Sequence, residues 1–212
     1  MTEFPLSLRD IVVSRGERCL LRGLHLDVAP GDLVHLVGPN GCGKTSLLRV
    51  IAGLSPPQSG EVLWHGEPIV GQRLRYAQSI AWLSHQPGLK ADLSLIENLT
   101  FDNALRRRVT AAQLDDTLIG LGIASRRDVR AGGLSAGQRR RAALARVLMS
   151  DAPLWLLDEP LTNLDTTGRA FVLSQLQSHA AAGGMIVFAA HTDIVIANTA
   201  VRRLEWEVSD DE

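Results

Sequence analysis

Apolar and polar positions divide the chain into short strand-like runs separated by helical stretches. Leu24, Leu26 and Val28 alternate with polar neighbours and 33–37 is mostly apolar, so 6–13 and 24–37 are expected to form strands. Pro30-Gly31-Asp32 marks a turn between them. A glycine-rich loop follows, then a helix over about 44–52 closed by Gly53 and Pro56-Pro57. Residues 59–69 read as an exposed hairpin punctuated by Gly60 and Gly66, and 80–84 as a strand leading into Gln86-Pro87-Gly88. From about 93 to 128 the pattern is helical and polar-rich, without a strand. Alternation then resumes, with helices over 135–149 and 166–180 and strands over 154–157 and 185–190. This order predicts an α/β fold with a mainly parallel sheet and one small helical insertion.

The 212 residues are enough for one sizeable core with a subdomain inserted into it. At 45% hydrophobic and 21% charged, the chain is neither a disordered tail nor a fibre. A net charge of −1 provides no basic footprint for DNA or RNA, so no nucleic-acid partner is expected. Cys19 and Cys42 suggest no disulfide framework and fit a reduced cytosolic setting. The first residues lack a signal-peptide pattern, and no stretch of ~20 apolar residues is present to span a membrane. No internal repeat is visible, and Ser209-Asp210-Asp211-Glu212 reads as a solvated acidic tail. Of 22 basic residues only Lys44 and Lys90 are lysines, which draws the eye to what Arg would not do at those places.

Lys44 lies in Gly38-Pro39-Asn40-Gly41-Cys42-Gly43-Lys44-Thr45, followed by Ser46, between a strand and a helix, the context a P-loop requires. Glycines let backbone N–H groups turn inward around phosphates, and the helix N-terminus adds partial positive charge. A compact ammonium at Lys44 fits between the β- and γ-phosphates of ATP where a planar guanidinium does not, and Thr45 is placed to hold Mg²⁺. Leu154-Trp155-Leu156-Leu157-Asp158-Glu159 ends a core strand in two carboxylates, where open α/β sheets place their ligands. Behind a P-loop, Asp158 suits the Mg²⁺ shell and Glu159 a general base for the attacking water.

With those motifs flanking it, Leu134-Ser135-Ala136-Gly137-Gln138 resembles the signature of ATP-binding cassette proteins, with Ala136 in place of the usual second Gly. Ser135 is a good helix N-cap in its own right. The resemblance implies a P-loop core of RecA type over 1–86 and 133–212, with an antiparallel β subdomain at its N-terminal end and an α-helical subdomain over 87–132. It implies a homodimer on ATP binding, in which Ser135, Gly137 and Gln138 close on ATP held by the other copy. It further implies that Gln86 senses Mg²⁺ and water, that Asp165 crosses the dimer interface and that His191 contacts the γ-phosphate. The position matching the aromatic that stacks on adenine is Arg15, whose guanidinium either stacks on the base or is solvated.

Residues 60–68 and 82–90, Glu97-Asn98-Leu99, the Ala form of the signature and Leu154-Trp155 look like the CcmA family of cytochrome c biogenesis ATPases. That likeness implies a peripheral protein on the cytoplasmic side of a cell inner membrane. Its partners would be a CcmB-like membrane subunit and CcmC-, CcmD- and CcmE-like components. An exporter ATPase for another small solute, or a soluble ATPase serving iron–sulfur assembly, would share every catalytic motif. Arg106-Arg107-Arg108 and Arg139-Arg140-Arg141 read as solvated helix faces, the second near the signature. Trp64, Trp82, Trp155 and Trp206 read as packing residues, and His65, His85 and His179 have no metal-ligand spacing.

Overall fold

The computed structural model of the chain describes residues 4–104, 109–196 and 199–206. Two sheets organise it. An antiparallel sheet, in the order β2-β1-β4-β5, comprises β1 (Leu6–Arg15), β2 (Arg18–Val28), β4 (Ser59–Trp64) and β5 (Glu67–Pro68). A parallel sheet, in the order β6-β7-β8-β3-β9, comprises β3 (Leu33–Val37), β6 (Ile80–Leu83), β7 (Leu154–Asp158), β8 (Met185–Ala189) and β9 (Val201–Glu205). Among the described residues the α-helices are α1 (Lys44–Ile51), α2 (Arg73–Ser79), α3 (Leu95–Ala104), α4 (Ala111–Gly120), α5 (Ala136–Leu148) and α6 (Thr166–Ala181).

The parallel sheet is covered on both faces, which is why β7 and β8 are buried at every position and read as continuous apolar runs. Side chains alternate between two cores. Leu154, Leu156 and Val187 face a cluster shared with α1 and the antiparallel sheet, while Trp155, Leu157 and Phe188 face one shared with α3, α5 and α6. β9 has no apolar run to announce it. It is an edge strand paired to β3, with Arg202, Arg203 and Glu205 exposed, the charged composition that protects a sheet edge from further pairing. α2 also lies in a stretch where periodicity predicts nothing. It is tethered by one buried residue, Tyr76, whose hydroxyl donates to the Ile51 carbonyl at 2.6 Å.

Two expectations change. The hairpin over 59–69 is present, but β4 is an inner strand between β1 and β5 and buries Val62 and Trp64. The Arg139-Arg140-Arg141 run is not a solvated face, because Arg140 is buried and the 3.6-residue helical period turns it toward β6 and β7. The Arg106-Arg107-Arg108 run and the acidic tail lie outside the described residues. Among the described residues no helix is long and apolar enough to cross a membrane.

One packing detail carries a pH signature. His179 of α6 stacks on Trp155 of β7, with ring centroids 3.8 Å apart and planes within 8°. Its Nε2 is buried against Gly184, with no hydrogen-bond partner among the described residues. Burial pushes the imidazole down from its ordinary 6.5 to about 4. In the unfolded chain the ring takes up its proton near 6.5, so between 6.5 and 4 the unfolded state binds more protons and acid destabilises the fold. Thermal melts of wild type should lose stability across that window, at about 2–4 °C for each kcal/mol in a domain of this size. His179→Phe, which keeps the stack but cannot titrate, should show a shallower slope; identical slopes would mean that the imidazole titrates normally in the fold.

Candidate functional site

The loop between β3 and α1 closes on its own lysine. Lys44 Nζ donates to the carbonyls of Gly38 at 2.6 Å and Pro39 at 3.0 Å, and only 8% of the residue is exposed. Gly43 has φ +105, a left-handed value that a side chain would strain, and a Cβ there would lie 3.0 Å from that of Leu20. Gly38 is equally constrained, since an added Cβ would meet Cys42 Sγ at 2.6 Å. Cys42 therefore packs inside the loop, and Trp206, just beyond β9, donates from Nε1 to its carbonyl at 3.0 Å. Asn40, Gly41 and Thr45 are exposed on the outer side of the same turn.

β7 lies two strands from β3, with β8 between them, and its end meets the start of α1. Thr45 Oγ1 donates to Asp158 Oδ2 at 3.1 Å, so the hydroxyl and the carboxylate converge on one point. Asp158 is buried, whereas the Glu159 side chain keeps 21% exposure. Glu159 adopts φ +53, unusual for a residue with a side chain, and its N–H donates to the Ala189 carbonyl at 2.8 Å. Its carboxylate accepts from Thr162 Oγ1 at 3.3 Å and faces His191 Nε2 at 3.4 Å. The backbone just before His191 has a neighbour that the motifs do not reveal: the buried His35 stacks on Phe188 and lies 3.1 Å from the Ala190 carbonyl through Nε2.

Ser135 caps α5, its hydroxyl accepting from the Gln138 N–H at 3.2 Å while the Gln138 side chain accepts from the Ser135 N–H at 2.9 Å. A Cβ at Gly137 would meet only Asn163, at 3.8 Å, so the turn stays open. A cleft of about 400 Å³ joins this helix start to Glu159 and His191, lined also by His85, Arg140, Thr162 and Asn163. His85 therefore belongs to the same cleft, although no spacing argument marks it. Gln86 is exposed beside it and is brought into contact with neither Glu159 nor Asp158; its carbonyl accepts the Ser84 hydroxyl. Asp165 caps α6 by accepting from the Gly168 N–H at 2.8 Å.

Arg15 stands at the turn between β1 and β2, exposed, on the rim of a second cleft of about 760 Å³ that also takes in Thr45, Ser46 and Arg49. It thus shares a cleft with Thr45 and Ser46, which follow the P-loop lysine. The residue that motif reasoning missed most plainly is Arg140. Its guanidinium donates to the carbonyls of Ser84 and Asp158 and, at 3.1 Å, to that of Glu159. Burial lowers its pKa, and the nearby Asp158 and Glu159 carboxylates oppose the shift.

This assembly can do one kind of chemistry: cradle an anion on backbone N–H groups and an ammonium, hold a cation on a hydroxyl and a carboxylate, and polarise water on a second carboxylate. Comparison with known proteins agrees with it. The ABC transporter family matches residues 21–162. The cytochrome c biogenesis ATP-binding export protein CcmA of Methylococcus capsulatus is 47% identical over 192 residues, covering 90% of this chain and 93% of that protein. Its namesake from Yersinia pestis is 41% identical over 199 residues, covering 94% and 91%. A dimeric ATP-binding cassette solved in a post-hydrolysis state with ADP and Pi shares the fold at a TM-score of 0.78 and 24% identity, covering 95% of this chain and 96% of that one. With the family matched over most of its length and such relatives spanning nearly all of it, the chain belongs to the ABC transporter family and, within that family, to the CcmA group.

Proposed function

We propose that the chain is the ATP-hydrolysing subunit of an ABC exporter for cytochrome c biogenesis, working as a head-to-tail dimer on a separate membrane subunit. The observation that carries the hydrolytic part is the meeting of Thr45 with Asp158 and of Glu159 with His191 at the ends of β7 and β8, beside the lysine of the P-loop. Lys44, the loop 38–43 and Ser46 bind the phosphates, and Arg15, which lines the cleft with Thr45 and Ser46, either stacks on the base or is solvated. Mg²⁺, when bound, would neutralise phosphate charge; Thr45 and Asp158, already in contact, would hold it, and Gln86, which meets neither of them in the single chain, would join them only on closure of the dimer. Glu159 takes the proton of the attacking water, and His191 and Thr162 fix the direction in which its carboxylate points. Ser135, Gly137, Gln138 and Asp165 serve the other copy's nucleotide. The segment 87–132 is the helical subdomain that moves against the membrane subunit when ATP closes the dimer.

The cellular part of the reading is supported by relatives named for cytochrome c biogenesis and export. The membrane subunit would be CcmB-like, with CcmC-, CcmD- and CcmE-like components completing the assembly on the cytoplasmic side of the inner membrane. Haem, or the release of a haem-loaded chaperone, would be the step that ATP drives.

Glu159→Gln removes the base and leaves the phosphate cradle whole. Steady-state hydrolysis should fall roughly 10²–10⁴-fold while ATP binding survives. Undiminished turnover would remove Glu159 from the role. Lys44→Ala should weaken nucleotide affinity as well as turnover, because the ammonium meets the phosphates in ground and transition states alike; isothermal titration with ATP separates the two variants.

Gly137→Asp tests the dimer. The turn has room for the side chain, but the new carboxylate faces the other copy's phosphate, and like charges repel. Nucleotide should still bind the single chain, while light scattering should find no ATP-dependent dimer in this variant. A dimer of wild-type strength would argue against the head-to-tail arrangement.

In cells whose only copy is Glu159→Gln, apo-cytochromes c should accumulate without covalent haem while b-type cytochromes stay normal. Haem-stained gels report this directly. Normal holo-cytochrome c, with no second maturation system present, would move the chain to export of another solute and leave the ATPase reading intact.

A further inference from the structure

Arg140 is the one strongly polar side chain of α5 that the helix turns into the core, and its contacts are not those of a packing residue. β6 and β7 are adjacent parallel strands, and the guanidinium bridges their two ends, reaching the Ser84 carbonyl after β6 and the Asp158 and Glu159 carbonyls at the end of β7. Burying a charge costs several kcal/mol unless hydrogen bonds replace its water, so such a group holds its acceptors in a defined place. A planar fork fixes angles as well as distances, which a single ammonium does not.

What it holds is the backbone of Glu159. At φ +53 that residue occupies a left-handed region that L-amino acids with side chains disfavour, so outside contacts must keep it there. Its N–H is pinned to Ala189 of β8, and its carbonyl accepts from Arg140 on the opposite side. The same helix reaches beyond Gln86 through Arg146, which donates to the carbonyls of Pro87 at 3.0 Å and Gly88 at 3.2 Å. Gln86 is therefore bracketed, by Arg140 at Ser84 and by Arg146 at Pro87 and Gly88. Both arginines stand on the helix that Ser135 caps.

We infer that Arg140 is a positioning residue for hydrolysis, tying the signature helix to the backbone of the general base and to the strand that leads into Gln86. Its guanidinium donates to backbone carbonyls of the strand ends. Its effect runs through the carbonyl of Glu159, whose placement sets where the carboxylate meets water. A misplacement of about 1 Å in such a group costs on the order of 10²-fold in rate. The inference rests on the reading of Glu159 as the base.

The test measures ATP turnover by the detergent-purified complex, with melting curves for every variant. Arg140→Met keeps the length and removes the donors. It should lower kcat about 10–100-fold with the ATP KM within about twofold of wild type, because Lys44 and the P-loop are untouched. Arg140→Lys keeps a charge but reaches fewer carbonyls and should recover only part of that loss; it also serves if Arg140→Met fails to fold. Wild-type kcat in Arg140→Met, or full wild-type behaviour of Arg140→Lys, would overturn the inference. So would a rise in KM that matches the fall in kcat, since that is what general loosening of the nucleotide site produces. Glu159→Gln is run alongside. If it abolishes turnover while Arg140→Met keeps wild-type kcat, the positioning role fails alone; if it turns over normally, the reading of the base fails with it.

Discussion

A parallel sheet covered on both faces leaves its strands no free surface, and the chemistry of this protein is arranged around that constraint. Every apolar side chain within β7 and β8 is committed to one core or the other, and only Asp158, the last residue of β7, is not. Functional groups are therefore confined to the strand ends and the turns that follow them. Four neighbouring strands use the same end: β6 leads to Gln86, β7 to Asp158 and Glu159, β8 to His191 and β3 to the loop before Lys44. Adjacent strands lie about 4.8 Å apart, so residues far apart in sequence come within reach of one substrate without any long loop.

Charge is brought into this crowded place on strict terms. Lys44, Asp158 and Arg140 are each buried, and each has oxygen or hydroxyl partners close by: loop carbonyls for the lysine, the Thr45 hydroxyl for the aspartate, strand-end carbonyls for the arginine. A buried charge with partners in fixed positions resists movement, since leaving them exposes its full desolvation penalty. Glu159 and His191 are the more accessible members, and they face each other at the mouth of a cleft. Rigid, buried charges surround a pair that solvent can reach, an arrangement that suits a step in which water must enter and a proton must leave.

The motifs that were legible in sequence share one property: backbone geometry forces their residue types. Gly43 must be glycine at φ +105, and Gly38 has no room for a side chain beside Cys42. Ser135 and Gln138 form a capping box that depends only on residues three apart. Arg140 has no such local signature. An arginine beside two others on a helix has the composition of a solvated face, and only its phase relative to β6 and β7 makes it a buried bridge. His35 is hidden for the same reason, since a single histidine in a strand declares its stacking partner Phe188 only once β3 and β8 are paired.

By itself the sequence determined the α/β alternation, the P-loop at the end of β3 and the carboxylate pair at the end of β7. These follow from hydrophobic periodicity and from turns that few residue types can make, both of which act over short stretches of chain. Tertiary structure alone decided the rest: that 201–205 joins β3 as a charged edge strand, that Trp206 backs the phosphate loop, and that Thr45 meets a carboxylate 113 positions away. The physical reason is range. Capping and periodicity are set by neighbours within a turn or two, whereas the partner of a buried charge or an edge strand is chosen by how two distant surfaces pack.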